Sequence, residues 1–165
     1  NLEKFASENG WSGEWPQGVN GKLNGDFLAV VEANLGWMKS DLYIQRTVKY
    51  HVKDLIAEVT IDIDHYGVED IPMNGEYTGF FRTYAPRGAK LLDSHSDNPT
   101  SLWQSDENLY TIFGNVVRLS PGQKTQLYYK YQLPPSVLQN DEYQLYIPKQ
   151  SGTDQDYYSV IFHEL

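Results

Sequence analysis

The stretch Gln123-Lys124-Thr125-Gln126-Leu127-Tyr128-Tyr129-Lys130-Tyr131-Gln132-Leu133 has two different faces when it is read with a period of two. One face carries Thr125, Leu127, Tyr129, Tyr131 and Leu133, and the other carries Lys124, Gln126, Tyr128, Lys130 and Gln132. Alternation of this kind predicts a β-strand with one buried face and one solvated face. Residues 55–64 repeat the pattern, because their apolar side chains also fall on alternate positions.

Seven further segments, rich in Val, Ile, Thr and aromatic residues, predict more strands. They are 27–31, 42–52, 76–84, 89–92, 109–118, 143–147 and 157–163. Asn-Gly pairs, which tolerate the positive φ angles of tight turns, punctuate the chain at 9–10, 20–21, 24–25 and 74–75. The pattern predicts an all-β protein, an immunoglobulin-like β-sandwich of about eight or nine strands.

The start of the chain differs from the rest. Leu2 and Phe5 fit a short helix that ends at Asn9-Gly10, and an aromatic loop follows. We predict that residues 1–25 form a helix and loop appendage and that residues 26–165 form the sandwich. The polar segment 93–108 is predicted to be a long loop. Because the chain does not begin with Met, we expect it to be a piece of a longer protein.

Composition excludes several classes of function. The chain has 13 Lys and Arg against 22 Asp and Glu, which gives a formal net charge of −9. This balance argues against nucleic acid and against a polybasic membrane surface, since both need clustered cations. The sequence contains no Cys, so disulfides, thiol catalysis and Cys-ligated metals are absent. No apolar run is long enough to span a bilayer.

Arg46 stands in a row of alternate strand positions that is otherwise apolar, namely Leu42, Ile44, Val48, Tyr50 and Val52. An unpaired buried guanidinium is very costly, so Arg46 must meet carboxylates or carbonyl groups. We favour a structural ion network of Lys39, Asp41 and Arg46, because Lys39 and Asp41 immediately precede the strand. The alternative is that Arg46 faces a ligand in a pocket.

Catalytic signals are weak, and we expect no enzyme activity. The histidines are widely spread along the chain, at His51, His65, His95 and His163. Asp62 and Asp64 share one strand face. A solvated pair is a simpler interpretation than a pair of glycosidase acids, because such acids must lie on opposite sides of a cleft. Asp154 and Asp156 could lend oxygen atoms to Ca²⁺, although their loop lacks the full calcium-binding pattern. Calcium is therefore the one cofactor that the sequence suggests.

Four tryptophans fall in predicted loops: Trp11, Trp15, Trp37 and Trp103. The favoured interpretation is that the first three pack together and seal one end of the sandwich, since large aromatic side chains dominate protein cores. The alternative is that exposed indole rings stack on sugars. Trp103, in the polar segment, is the better candidate for such a glycan contact.

Several motifs, taken in order, resemble those of one protein family. They are Gly10-Trp11-Ser12-Gly13, Asn34-Leu35-Gly36, Lys39-x-Asp41-x-Tyr43-Ile44-x-Arg46, Tyr84-Ala85-Pro86-Arg87-Gly88, Leu119-Ser120-Pro121-Gly122-Gln123 and Lys149-Gln150-Ser151-Gly152-Thr153. The chain resembles the carboxy-terminal portion of bacterial envelope proteins catalogued as domain of unknown function 4012. Trp37-Met38 departs from that pattern, because small residues are more usual there.

The resemblance implies a location and no catalytic residue. Such proteins look like single-pass membrane proteins whose large part lies outside the cytoplasm, so the anchor would precede this chain. We therefore expect a non-catalytic extracytoplasmic module that is structural or contacts an envelope protein. The alternative is a glycan-binding or glycan-processing accessory module in cell-envelope assembly.

Overall fold

The computed structural model describes residues 2–9, 13–16, 18, 23–69, 72–97, 102–139, 142–148, 150, 152 and 156–163. One α-helix, α1 (Leu2–Glu8), opens the chain. The strands that follow are β1 (Asp26–Phe27), β2 (Ala29–Asn34), β3 (Ile44–Lys53), β4 (Ile56–His65), β5 (Tyr77–Pro86), β6 (Lys90–Ser96), β7 (Trp103–Glu107), β8 (Tyr110–Leu119), β9 (Lys124–Gln132), β10 (Leu138–Gln139), β11 (Glu142–Tyr143), β12 (Leu145–Tyr146) and β13 (Asp156–Phe162). Short 3-10 turns occupy Ser40–Tyr43 and Pro135–Val137.

Nine of these strands form two sheets, which confirms the predicted all-β sandwich. One sheet has the order β13-β3-β4-β9-β6, and the other has the order β2-β5-β8-β7. Within these two sheets, neighbouring strands are antiparallel except that β13 runs parallel to β3. The second sheet has the order of immunoglobulin strands A, B, E and D, and β6 beside β9 corresponds to C beside F. The place beside F that an immunoglobulin gives to strand G is taken here by β4.

The core lies between the inner faces of the two sheets. In β4 and β9 the buried residues alternate with partly exposed or exposed ones, as the period of two predicts. Phe113 of β8 packs against Tyr129 and Tyr131 of β9, with ring centroids 5.8 and 5.3 Å apart. Each fully buried aromatic side chain stabilises the fold by a few kcal/mol, because it is removed from water.

Three expectations about local structure were wrong. The segment 93–108 is not one long loop, because β6 continues through Ser96 and β7 spans Trp103–Glu107. Residues 42 and 43 belong to a 3-10 turn, so β3 begins only at Ile44. Residues 143–147 form parts of two short strands instead of one longer strand. The predicted helix is present, but it buries no residue.

Candidate functional site

Arg46 lies on the inner face of β3 and is almost fully buried. Its Nε donates to Asp156 Oδ1 at 2.8 Å, and its Nη2 donates to Asp156 Oδ2 at 2.5 Å. Its Nη1 donates to Gln150 Oε1 at 3.1 Å and lies 3.5 Å from Glu32 Oε2. The guanidinium therefore ties β3 to β2 in the opposite sheet and to the chain around β13. This pairing supports the structural interpretation of Arg46 over a ligand contact.

The structure does not bring Lys39 and Asp41 to Arg46, so the predicted membership of the ion network was wrong. Lys39 is exposed, and its backbone N–H donates to the carbonyl oxygen of Met73 at 3.0 Å. Asp41 is also exposed and accepts a hydrogen bond from Asn34 Nδ2 at 3.2 Å. Burial raises the pKa of Glu32, and the negative charge of Asp41 adds to this shift. This electrostatic effect is how Asp41 influences the Arg46 network.

Asp156, a predicted calcium ligand, lies inside the Arg46 network instead. Its side chain is 4% exposed, and both carboxylate oxygens accept hydrogen bonds from the guanidinium. Asp154, the other predicted ligand, falls outside the described residues. Within the part of the chain that the structure describes, no group of three or more His, Asp or Glu is placed to hold a metal ion.

A buried carboxyl at Asp26 is a feature that sequence analysis missed. Asp26 accepts hydrogen bonds from the Tyr50 hydroxyl at 2.5 Å, from the Tyr143 hydroxyl and from the Phe27 backbone N–H at 2.7 Å. Burial raises the pKa of Asp26 to about 6, although these three donors oppose the shift. The group joins β1 to β3 and β11, and nothing in the local sequence around Asp26 signals this burial.

Three loop segments meet at one end of the sandwich, which we call the apical end. They are 35–43, after β2, and the two described parts of the connection between β4 and β5, 66–69 and 72–76. The Ser40 hydroxyl donates to the Gly75 carbonyl oxygen at 3.0 Å, and the Tyr66 hydroxyl donates to the Leu42 carbonyl oxygen at 2.8 Å. These bonds fix the loops against one another, so their outward side chains are held on a defined surface.

The apical loops expose large apolar side chains. The apical patch consists of Leu35, Trp37, Leu42, Tyr66, Val68 and Met73, each more than half exposed. Trp37 is 94% exposed. Met73 holds a positive φ of 63°, which is uncommon for a large side chain. Exposed apolar patches on a soluble domain commonly mark interaction surfaces. The motif comparison marks Trp37-Met38 as a departure, but it does not indicate that Trp37 is exposed.

Aromatic side chains cover part of the outer face of the four-stranded sheet, where β5 ends and β8 begins. Trp15 packs there against Phe27, Tyr84 and Tyr110, with ring centroids 5.1, 4.9 and 5.2 Å away. The expectation that Trp37 joins Trp15 to seal one end was therefore wrong, because Trp15 lies on a sheet face and Trp37 is exposed on an apical loop. Trp11, the third member of that expected group and a candidate glycan contact, falls outside the described residues.

Trp103 lies in the edge strand β7, on the outer face of the four-stranded sheet, and is 40% exposed. Its ring meets Phe80 at a centroid distance of 5.8 Å and an angle of 71°. An added Cβ at Gly114 would lie 2.8 Å from the Phe80 ring and 3.1 Å from Trp103. Glycine is thus required at this position for the two rings to lie close to the sheet.

The remaining titratable candidates have simple partners. Asp62 pairs with Lys49 at 2.8 Å and Asp64 with Lys124 at 2.5 Å, both on the solvated face of the five-stranded sheet. His51 and His163, far apart in sequence, have ring centroids 4.8 Å apart because β13 lies beside β3. The described residues add no third ligand to these two histidines, and two alone do not make a metal site of the usual kind.

The structure is a β-sandwich in which aromatic side chains cover part of one sheet face and the loops of the apical end expose apolar side chains. Comparisons with protein-family models, with curated proteins and with solved structures find no match for this chain. The resemblance to the envelope family therefore stays a prediction. Among the described residues, no helix is long and apolar enough to cross a membrane.

Proposed function

We propose that this chain is a non-catalytic binding module that docks a partner protein on its apical patch. The observation that carries the proposal is the exposure of six large apolar side chains on loop segments that are hydrogen-bonded to one another, with Trp37 almost wholly exposed. Tryptophan is enriched among residues that dominate binding energy at protein interfaces. Because these hydrogen bonds already hold the segments together, binding would cost less conformational entropy.

Charge around the apical patch favours a particular kind of partner. The described residues of these loop segments carry three exposed acids, Asp41, Glu69 and Glu76, and one exposed base, Lys39. A partner that fits this surface has an apolar hollow with a basic rim, since complementary charge steers association and selects the partner. The same acids disfavour an anionic lipid surface as the occupant, because they would be repelled by it.

We further propose that the module acts outside the cytoplasm, as part of a bacterial envelope protein that is anchored by a segment outside this chain. Support comes from the resemblance to the family of domain of unknown function 4012. The proposal that the module is not an enzyme is supported by the use of its carboxylates. Asp62 and Asp64 pair with lysines, Asp156 pairs with Arg46, and Asp26 is buried among tyrosines.

Site-specific photo-crosslinking tests the proposal. Trp37→p-benzoylphenylalanine in the full chain, produced in its source cells, is expected to give a light-dependent adduct with a protein. The matched control is the same substitution at Lys53, which is exposed at the far end of β3. Glu69→Lys together with Glu76→Lys is expected to weaken the adduct, because the proposed partner has a basic rim. Equal adducts at both positions, or none at Trp37, would contradict the proposal.

A glycan-binding role is the second candidate. It is favoured by the aromatic pair of Trp103 and Phe80 on the outer face of the four-stranded sheet, where Trp103 is 40% exposed. This surface lies on a flat sheet face, whereas the apical patch lies on loops. The two candidate functions therefore use different residues and can be tested separately.

A further inference from the structure

One row of residues crosses the outer face of the four-stranded sheet. Register places Val31 of β2 beside Arg82 of β5, Arg82 beside Gly114 of β8, and Gly114 beside Trp103 of β7. Because Gly114 has no side chain, the space above it is filled by the Trp103 ring and by the Phe80 ring, which contacts both Arg82 and Trp103. Two strand spacings, about 10 Å, separate the backbones of Arg82 and Trp103.

Arg82 is held by aromatic rings instead of by an acid. Its guanidinium carbon lies 6.0 Å from the Phe80 ring centroid and 5.8 Å from that of Tyr84. Its Nε is buried without a hydrogen-bond partner, and no carboxylate in the described part of the chain forms an ion pair with it. The rings thus orient the cation. Because Nε is buried, a carboxylate ligand would pair with the two terminal Nη groups.

The charge of this face is opposite to that of the molecule. Among the described residues, the outward positions of the four strands carry Arg82, Arg118 and Glu107, a net charge of +1 in a chain of −9. Arg118 lies four residues from Gly114 on β8, which is about 13 Å along the strand. The net charge of this face therefore does not repel an anionic ligand as the whole chain would.

We propose that this face binds an acidic polysaccharide, with a uronic acid carboxylate paired to Arg82 and a sugar ring stacked on Trp103. The inference rests on the glycan-binding candidate and adds the class of sugar and the residue that selects it. A planar guanidinium matches a carboxylate through two parallel hydrogen bonds. The exposed indole supplies the flat apolar surface that a pyranose ring needs, and a neutral sugar would use only that half of the site.

Isothermal titration calorimetry with defined oligosaccharides tests this proposal on the intact chain. The probes are hexamers of galacturonic acid, oligomers of mannuronic acid and oligomers of hyaluronan. A galactose hexamer and a hexaglutamate peptide serve as the neutral and the acidic controls. At least one uronate probe is expected to bind, and both controls to bind roughly tenfold more weakly or worse, because each lacks one of the two contacts.

Two variants assign the binding to these residues. Arg82→Met and Trp103→Ala are each expected to raise the Kd for the uronate probe by roughly tenfold or more, with thermal melting used to confirm that they are folded. Trp103→Ala keeps the test decisive if Arg82→Met fails to fold, since Trp103 stands on an edge strand and is 40% exposed. Tyr157→Ala, at an aromatic residue that is 52% exposed on β13 of the other sheet, serves as the matched control and is expected to leave the Kd unchanged.

Several results would overturn the proposal. They are the absence of binding to every uronate probe, equal binding of the hexaglutamate peptide, and unchanged affinity in the folded Trp103→Ala variant. A peptide that binds as well would identify an acidic protein surface as the occupant. None of these results bears on crosslinking at Trp37, which lies on the apical loops, so the failure of one proposal is distinguishable from the failure of the other.

Discussion

At Arg46 the amino-acid sequence predicts burial but not the partner. The period of two places this guanidinium in an apolar row, and burial then demands a counter-charge. The partners Glu32, Gln150 and Asp156 come from distant parts of the chain. They meet Arg46 because β13 runs parallel to β3 and β2 lies in the opposite sheet. Local sequence pointed to Lys39 and Asp41, since it contains no information about which strands become neighbours.

Arg46→Ala is expected to lower the free energy of unfolding by about 3–5 kcal/mol, because it leaves buried carboxylates unpaired. Urea denaturation measures this change. The matched control is Lys49→Ala on the same strand, whose exposed pair with Asp62 contributes less than about 1 kcal/mol. A loss no larger for Arg46→Ala than for Lys49→Ala would show that the buried network does not hold the sheets together.

Asp26 makes stability depend on pH in an unusual direction. Its pKa in the folded state is about 6, above the ordinary value of 3.8, because the carboxyl is buried. The folded state therefore holds this proton more tightly, and the resulting stabilisation is full below pH 3.8 and is lost as pH rises through about 6. The shift corresponds to about 3 kcal/mol.

Asp26→Asn is expected to remove this pH dependence, since the amide cannot ionise and is similar in size. Its oxygen can still accept from the Phe27 N–H, and its amide group can donate to the tyrosine oxygens. Urea denaturation at pH 4 and pH 7 measures the difference between the variant and the natural chain. Between pH 4 and pH 7 the natural chain should lose about 2 kcal/mol of stability that the variant does not lose. Parallel curves for both proteins would contradict the assignment.

At the scale of elements, prediction succeeded where the pattern is local and failed where it depends on neighbours. The strands β4 and β9 follow from alternation alone, because each has one core face and one solvated face. The strand β7 was missed because no residue of this edge strand is fully buried and most of them are polar. The apical patch was missed for the opposite reason: Trp37 is a residue type expected in a core, and only the folded loops show that it is exposed.

The amino-terminal segment is expected to stabilise the sandwich through Trp15 and not through its helix. Trp15→Ala should cost about 3 kcal/mol, because the indole packs among Phe27, Tyr84 and Tyr110. Deletion of residues 2–8 should change stability by less than about 0.5 kcal/mol, since α1 buries no residue. Thermal and urea denaturation measure both changes.

Trp37→Ala is the matched control for Trp15→Ala, because both changes remove an indole. Trp37 is exposed, so its removal should leave stability within about 0.5 kcal/mol of the natural chain. If Trp15→Ala is as mild as Trp37→Ala, the amino-terminal segment does not stabilise the sandwich, and packing of the Trp15 indole contributes no more stability than the exposed Trp37 indole. If Trp37→Ala is as costly as Trp15→Ala, Trp37 is not a free surface residue.

Over the whole molecule, the Trp15 cluster and the apical patch serve different purposes. The Trp15 cluster covers part of the outer face of the four-stranded sheet, where burial of aromatic surface contributes stability. The apical end exposes six large apolar side chains on loops that are bonded to one another, and exposure of this kind brings no stability to the isolated chain. A binding role accounts for such exposure, because a partner would remove the same surface from water.

Hydroxyl-radical footprinting in the source cells, compared with the purified chain, tests the binding role of the apical patch most directly. Trp37, Tyr66 and Met73 react readily when exposed, and Tyr157, 52% exposed on β13, serves as the reference. We expect the apical residues to be modified severalfold less in cells than in the purified chain, while Tyr157 is modified equally. Equal modification of Trp37 in both samples would contradict the claim that the apical patch is an occupied binding surface.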